Sequence, residues 1–423
     1  MKEKKVIGNT AMLYLMTIAK MVFPLLTLPY LTRVLSEESY GFVSYVKSCM
    51  TYIQLIIDFG FILSSVKDIV KANGDKEKIG IITGNTFLAK FMLALLSGVV
   101  LVVMCLTIKI LQMNILFVIL SFFAVATSLF LADFLFRGIE KMQYITIIYV
   151  ISKGVSVALT FVFVHGDESL LWIPILDILT NVIAVAITLI ILKRLKIKIK
   201  ISNIKDCFLM IKDSFFYFLS SVATTAFSAL NTLLIGIFIT DLTQVAYWSL
   251  CLSMISAIQS LYAPICNGIY PHMIKEKNLG FIHKVLAIFM PVVAVGCVLC
   301  FFLAQTALRI IGGEKYVAAY DVFRWMIPIL FFSFPAQVYG WPTLGAIGKV
   351  KETTLSTVIA AVFQVVGLLV LILAGWFTLI NLAVVRGITE LILMVIRMFI
   401  TYKNKGEFTK IKAADEQPVT ADE

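Results

Sequence analysis

Six polar residues recur every three or four positions along one short stretch: Tyr40, Ser44, Lys47, Thr51, Gln54 and Asp58. That spacing stacks all six on one face of a helix. Three more stretches repeat the pattern. They are Thr10, Thr17, Lys20, Pro24 and Thr27; Thr83, Thr86, Lys90 and Ser97; and Thr146, Tyr149, Lys153, Ser156 and Thr160. Each carries one ammonium among hydroxyls, and the residues between them are apolar. Ammonium, hydroxyl and amide groups on facing helices are the chemistry of anion binding. Isolated deep carboxylates, Asp58 and Asp177, are the chemistry of proton or cation exchange.

These faces are set in a chain with an unusual balance. Of 423 residues, 60% are hydrophobic and only 14% charged, and the mean hydropathy is +0.97. A soluble chain carries about 25% charged residues. Apolar runs near the length that crosses a bilayer recur throughout, at about 7–32, 40–66, 79–108, 113–138, 144–166, 170–192, 213–240, 245–270, 281–309, 316–346, 350–375 and 377–401. The expected fold is an all-α polytopic membrane protein of twelve transmembrane helices. MKEKK before the first run looks like the start of a signal peptide, but no small-residue cleavage site follows, so the run reads as the first span. Pro24, Pro29, Pro264, Pro291, Pro328 and Pro335 fall inside spans, where they are expected to kink them.

Charge fixes the expected orientation. Alternate loops and both tails carry 24 Lys and Arg, and the opposite loops carry four. That bias places both termini in the cytoplasm. The net charge of +11 is then a topology signal, and nucleic-acid binding is not indicated. The run KRLKIKIKISNIK alternates lysine with isoleucine and reads as an interfacial linker, 193–212. It divides an N-terminal six-helix lobe, 1–192, from a C-terminal lobe, 213–402; a polar tail, 403–423, reads as disordered. Sparse identities at shifts of 204 to 208 residues relate the lobes. Asn9-Thr10 faces Asp213-Ser214; Ser44, Thr51 and Gln54 fall on Ser249, Ser256 and Gln259; FRGIEKM falls on LGAIGKV. The lobes therefore form a parallel internal repeat, with substrate expected between them.

A charge at mid-bilayer costs about 2.5–3.5 kcal/mol, so the four lysines must face water, each other's helices or a ligand. Packing between helices, with each lysine paired internally, is the plainer reading for any one face. Four such faces in one lobe exceed the acids available. Asp133 is expected to pair with Arg137, and Arg386 with Glu390. The second lobe offers a neutral face instead: Ser249, Ser253, Ser256, Ser260 and Asn267. Candidate substrate-binding residues are Lys20, Lys47, Lys90, Lys153, Thr51, Gln54, Ser256 and Gln259. Asp58 and Asp177 are the candidates for ion coupling. An anionic headgroup with a polar, uncharged extension fits this asymmetry, as in a lipid-linked sugar.

RVLSEESYGFVSY after the first span and DFLFRGIEKMQYI across the end of the fourth resemble the signatures of bacterial polysaccharide flippases of the Wzx type. That family belongs with multidrug exporters and lipid II flippases. The likeness covers nearly the whole chain. It implies movement of an undecaprenyl-diphosphate-linked oligosaccharide, an O-antigen or capsule repeat unit, from the inner to the outer leaflet of the bacterial inner membrane. It also implies alternating access, coupling to H+ or Na+, and work alongside a polysaccharide polymerase. Lys20 and Lys47 stand where such flippases carry cavity cations; arginine is common there, and its fork binds phosphate differently from lysine.

Other classes fit less well. A cation-coupled drug exporter is expected to have an acidic, aromatic cavity. A membrane glycosyltransferase or polymerase is expected to have a sizeable outer loop or a D-x-D pair, which the sequence lacks. No Walker A motif is present. The seven cysteines lack metal-ligand spacing and read as small buried hydrophobes. No cofactor or metal is expected.

Overall fold

In the computed structural model, residues 2–225, 227 and 229–409 are described, with side chains for all of these except 2–11, 13, 14 and 409. Asn9 and Thr10 of the expected repeat and of the span-one face, and residues 410–423 of the expected tail, lie outside the described side chains or residues.

Among the described residues, twelve helical segments are long and apolar enough to cross a membrane. They are span one at Leu15–Val34, then Glu37–Lys71, Lys76–Thr107, Ile115–Gly138, Met142–Phe163, Asp167–Arg194, Ile204–Thr225, Leu242–Glu276, Leu279–Phe302, Glu314–Gly345, Val350–Leu373 and Leu379–Lys403. They are numbered here in that order. Among the described residues there is no strand. Large apolar side chains such as Leu106, Phe302 and Leu373 are exposed, as lipid-facing positions require.

Several expected continuous helices are broken. Span two is Glu37–Asp58 followed by Phe61–Lys71, because Phe59 and Gly60 both take positive φ, 39° and 78°. Span eight also breaks, into Leu242–Ser260 and Tyr262–Glu276, although Leu261 between them keeps right-handed helical angles. Pro264 therefore sits in a first helical turn, where its missing N–H costs nothing, and does not kink a helix interior. Spans two and eight are each 35 residues long, as a repeat of about 205 residues would require. Span ten ends in a wide-turned segment, Tyr339–Gly345, around a non-helical Gly340. The stretch expected as one seventh helix is two, Ile204–Thr225 and Ala229–Phe238.

Spatially, the described residues group into two compact units: 2–225 with 232–246, and 227 and 229–231 with 247–409. The division falls beyond the expected 193–212 boundary, since helix Ile204–Thr225 packs on spans two and three. Ser64 and Ser214 hydroxyls meet at 2.6 Å in that packing. The expected linker is also shorter than 193–212, because residues 204–212 are helical. The start of the expected tail is ordered too: Lys405–Thr409 is helical, Phe408 is buried, and Glu407 pairs with Lys349 at 3.0 Å.

The turn between spans one and two is tightly built. Ser36 caps the second helix by accepting from the Ser39 amide at 3.1 Å, and its own amide donates to Asp167 at 2.9 Å. Glu37 and Glu38 occupy the first turn, where the helix dipole favours acids. Gly41 is needed for close approach: a Cβ there would stand 2.0 Å from the Leu242 carbonyl oxygen.

Candidate functional site

Two adjoining cavities lie inside the first unit. One, of about 570 Å³, is lined from the halves of spans one, two and five nearer the Leu35–Ser36 turn, and includes Lys47, Thr51, Lys153 and Asp177. The other, of about 500 Å³, reaches toward the 138–141 turn and includes Lys20, Asp58, Lys90, Asp133 and Arg137. Gln54, Tyr149, Lys153 and Asn181 line both and form the wall between them. All four candidate lysines, both candidate carboxylates, Thr51 and Gln54 thus line one or other of two adjoining cavities. Ser256 and Gln259 do not: they lie on span eight in the second unit and line neither cavity.

The charges divide into pinned and unpinned groups. Lys90 Nζ stands 2.8 Å from Asp58 Oδ1. Its side chain is only 8% exposed, and that of Asp58 is 42% exposed. Asp58 is the last residue of its helix, an unfavourable place for a carboxylate beside the carbonyl end of the dipole. Two donors offset this: Lys90, and the Gln54 amide at 2.6 Å. Gln54 in turn accepts from the Ser128 hydroxyl at 3.0 Å. Lys153 meets Asp177 more loosely, at 3.3 Å, with both side chains facing the cavity.

Among the described residues Lys47 and Lys20 form no ion pair within 4 Å, and Asp177 and Asp133 respectively act on them only from farther away. Lys47 is exposed to the first cavity. Lys20 lies 5.5 Å from the centre of the Tyr149 ring, within cation–π range. The expected pair of Asp133 and Arg137 is not formed. Both residues lie in the six-residue helix Asp133–Gly138, but their side chains line the second cavity and do not meet within 4 Å. Across the two cavities five cationic side chains stand against three carboxylates. The lining can therefore accept further negative charge.

The hydroxyl faces fare differently. Ser156 and Thr160 of span five line the first cavity with Thr27 and Thr51. Span three does not follow them: Thr83, Thr86 and Ser97 are buried, bonding to carbonyls of their own helix or, for Thr86, to Ser65 at 3.1 Å. Only Lys90 of that face reaches the cavity. Asn181 was not singled out from the sequence. Its one signal was a position four residues after Asp177, and two polar residues do not make a stripe.

The second unit carries its charge as packing. Arg386 and Glu390 pair at 2.6 Å, as their spacing suggested, with both side chains buried. Arg386 also donates to the Phe227 carbonyl at 3.1 Å. Beside them Gln364 links Asn231 and Thr389. Arg397 joins three spans, donating to the Ala336 carbonyl at 2.7 Å and to Ser356 and Thr357. No group of three or more His, Cys, Asp and Glu side chains able to hold a metal occurs among the described residues.

This architecture has counterparts. A family model described as polysaccharide biosynthesis protein matches residues 6–277. The chain belongs to that family. A proposed O-antigen transporter of Shigella dysenteriae is 27% identical over 315 residues, covering 73% of this chain and 78% of the relative. A second protein of the same name, from Escherichia coli strain K12, is 24% identical over 396 residues, covering 91% and 94%. Among solved structures, the lipid II flippase MurJ in an inward closed conformation superposes with a TM-score of 0.69 at 12% identity, covering 96% of this chain and 90% of that one. That likeness carries the fold. The family member described here is a multi-pass membrane protein whose curated relatives are transporters, not enzymes.

Proposed function

We propose that this protein flips a lipid-linked oligosaccharide, carried on a diphosphate, from the cytoplasmic to the outer leaflet of the bacterial inner membrane. The observation that supports it best is the pair of cavities lined by five cations and three carboxylates, with Lys20 and Lys47 unpaired. An incoming diphosphate meets these two first. Lys153 is the next to join, since its contact with Asp177 is longer and cavity-exposed, so an anionic ligand can draw it across. Lys90 stays with Asp58 and widens the positive field without touching the ligand. Hydroxyls and amides beside Lys47, namely Thr51, Gln54 and Asn181, offer partners to sugar hydroxyls. Alternating access with both termini cytoplasmic, H+ or Na+ as coupling ion, and delivery to a polymerase complete the reading. Asp177 is the better coupling candidate of the two carboxylates, because releasing Lys153 leaves it free to take a proton. An exporter of organic cations fits less well, because this lining repels its cargo.

The test is Lys47→Ala, with flipping of a fluorescent diphosphate-linked oligosaccharide measured in proteoliposomes. Lys47 holds no ion pair, so the thermal midpoint should stay at the wild-type value while flipping falls more than about tenfold, the loss of one charge-assisted contact. Wild-type flipping by the variant would remove Lys47, and with it the first-cavity reading, from the mechanism.

A further inference from the structure

The segment between spans six and seven is an extended strap seated on span three. Carbonyls of Lys198 and Lys200 come so close that a Cβ at Gly80 or Gly84 would lie 2.1 Å from them. The match is geometric. Two residues of extended chain advance about 6.6 Å, and four residues of helix about 6 Å, so alternate strap carbonyls meet glycines four apart. The Lys200 amide donates to the Gly80 carbonyl at 3.3 Å. Asn85 clamps Ser202 twice, at 2.8 and 3.0 Å. Ile197 is buried at the near end.

Because the backbone takes the docking contacts, the side chains are left outward. Lys196, Lys198 and Lys205 are exposed and have no carboxylate partner among the described residues, while Lys200 reaches Glu77. Ile199, Ile201, Ile204, Phe208 and Leu209 are exposed among them, between 41% and 60%. Water is a poor solvent for five such side chains in fourteen residues, and hydrocarbon a poor one for the lysines. The strap directly joins two spans, so it lies at the boundary where both are satisfied. We propose that residues 196–209 are a docking surface for anionic phospholipid: the lysines take headgroup phosphates, and the isoleucines with Phe208 enter the acyl layer. Neutral lipid supplies the acyl half of that site and not the charge. The strap is clamped to the helix that carries Lys90, so bound lipid steadies the wall of the second cavity from outside.

The experiment compares full-length protein in nanodiscs of phosphatidylcholine alone and of phosphatidylcholine mixed with phosphatidylglycerol, reading amide hydrogen exchange across 198–209. Exchange should be slower in the mixture, and the difference should vanish in Lys196→Gln/Lys198→Gln/Lys205→Gln, each lysine being worth about fivefold in anionic-lipid affinity. Peptides from span five should exchange alike in both membranes and in both proteins, which guards against a variant that misfolds. Equal exchange of wild type in the two membranes would overturn the proposal. So would slowing that survives the triple substitution, which would assign the effect to the apolar side chains alone.

Discussion

Replacing Asp58 should destabilise the protein more than replacing Lys90, although the two form one ion pair. The asymmetry lies in where each partner sits: the Lys90 side chain is 8% exposed and that of Asp58 is 42% exposed. In Asp58→Ala the buried ammonium loses its ion-pair partner and keeps only the more distant Asp133 in the same cavity, which costs up to about 3–5 kcal/mol. Gln54 loses its acceptor as well, adding about 1 kcal/mol. In Lys90→Met the carboxylate keeps the Gln54 bond and faces cavity water. The loss is one charge-assisted hydrogen bond, about 1.5–3 kcal/mol, reduced by solvent screening. Asp58→Ala/Lys90→Met should then be more stable than Asp58→Ala alone, with a coupling of at least about 1 kcal/mol. Thermal and denaturant unfolding of the purified protein in matched lipid nanodiscs reads all four forms. If Lys90→Met proved the more destabilising single change, or the two effects simply added, the burial argument would be wrong.

The Arg386–Glu390 pair is buried on both sides, so either single replacement should cost about 3–5 kcal/mol, and Arg386→Met/Glu390→Leu should recover most of it; a double variant no better than the singles, in the same unfolding assay, would count against this. Asp75 caps span three, and the amides of Lys78 and then Glu77 hold its carboxyl below the ordinary value. Its contribution is full above the unfolded pKa of about 3.9 and is lost as pH falls through the lower folded value. Hydrogen-exchange protection of the first turn of Lys76–Thr107 should drop in that window, and Asp75→Asn should flatten the profile; an unchanged pH step in that variant would mean another group titrates.

Much of the fold was legible because a bilayer imposes long apolar helices, and apolar length is the plainest signal a sequence carries. The breaks were not. Phe59-Gly60 stops a helix by backbone conformation alone, and a single glycine in a helical pattern is usually tolerated. The polar stripes told which face of each helix was special, and every lysine on them reaches a cavity. They could not tell a wet face from a packed one, as Thr83, Thr86 and Ser97 show, since hydroxyls suit both surroundings. Nor could spacing within one helix name a partner on another. Lys90 and Asp58 are 32 residues apart, and nothing local joins them. Asp133 and Arg137 looked like a local pair, but both side chains line the cavity instead of meeting.

The two ion pairs that line the cavities each join consecutive spans: Asp58 with Lys90 across spans two and three, Lys153 with Asp177 across five and six. That bears on how the chain is made. A helix entering the membrane alone with one such charge bears a penalty of about 2.5–3.5 kcal/mol. Each of these helices has its counter-ion on the next or the preceding one to be synthesised. Spans five and six can therefore partition from the translocation machinery with their cavity charges matched, and spans two and three with Lys90 matched by Asp58. Lys20 and Lys47 have no such companion and enter uncompensated, on spans whose remaining residues must be apolar enough to carry them in.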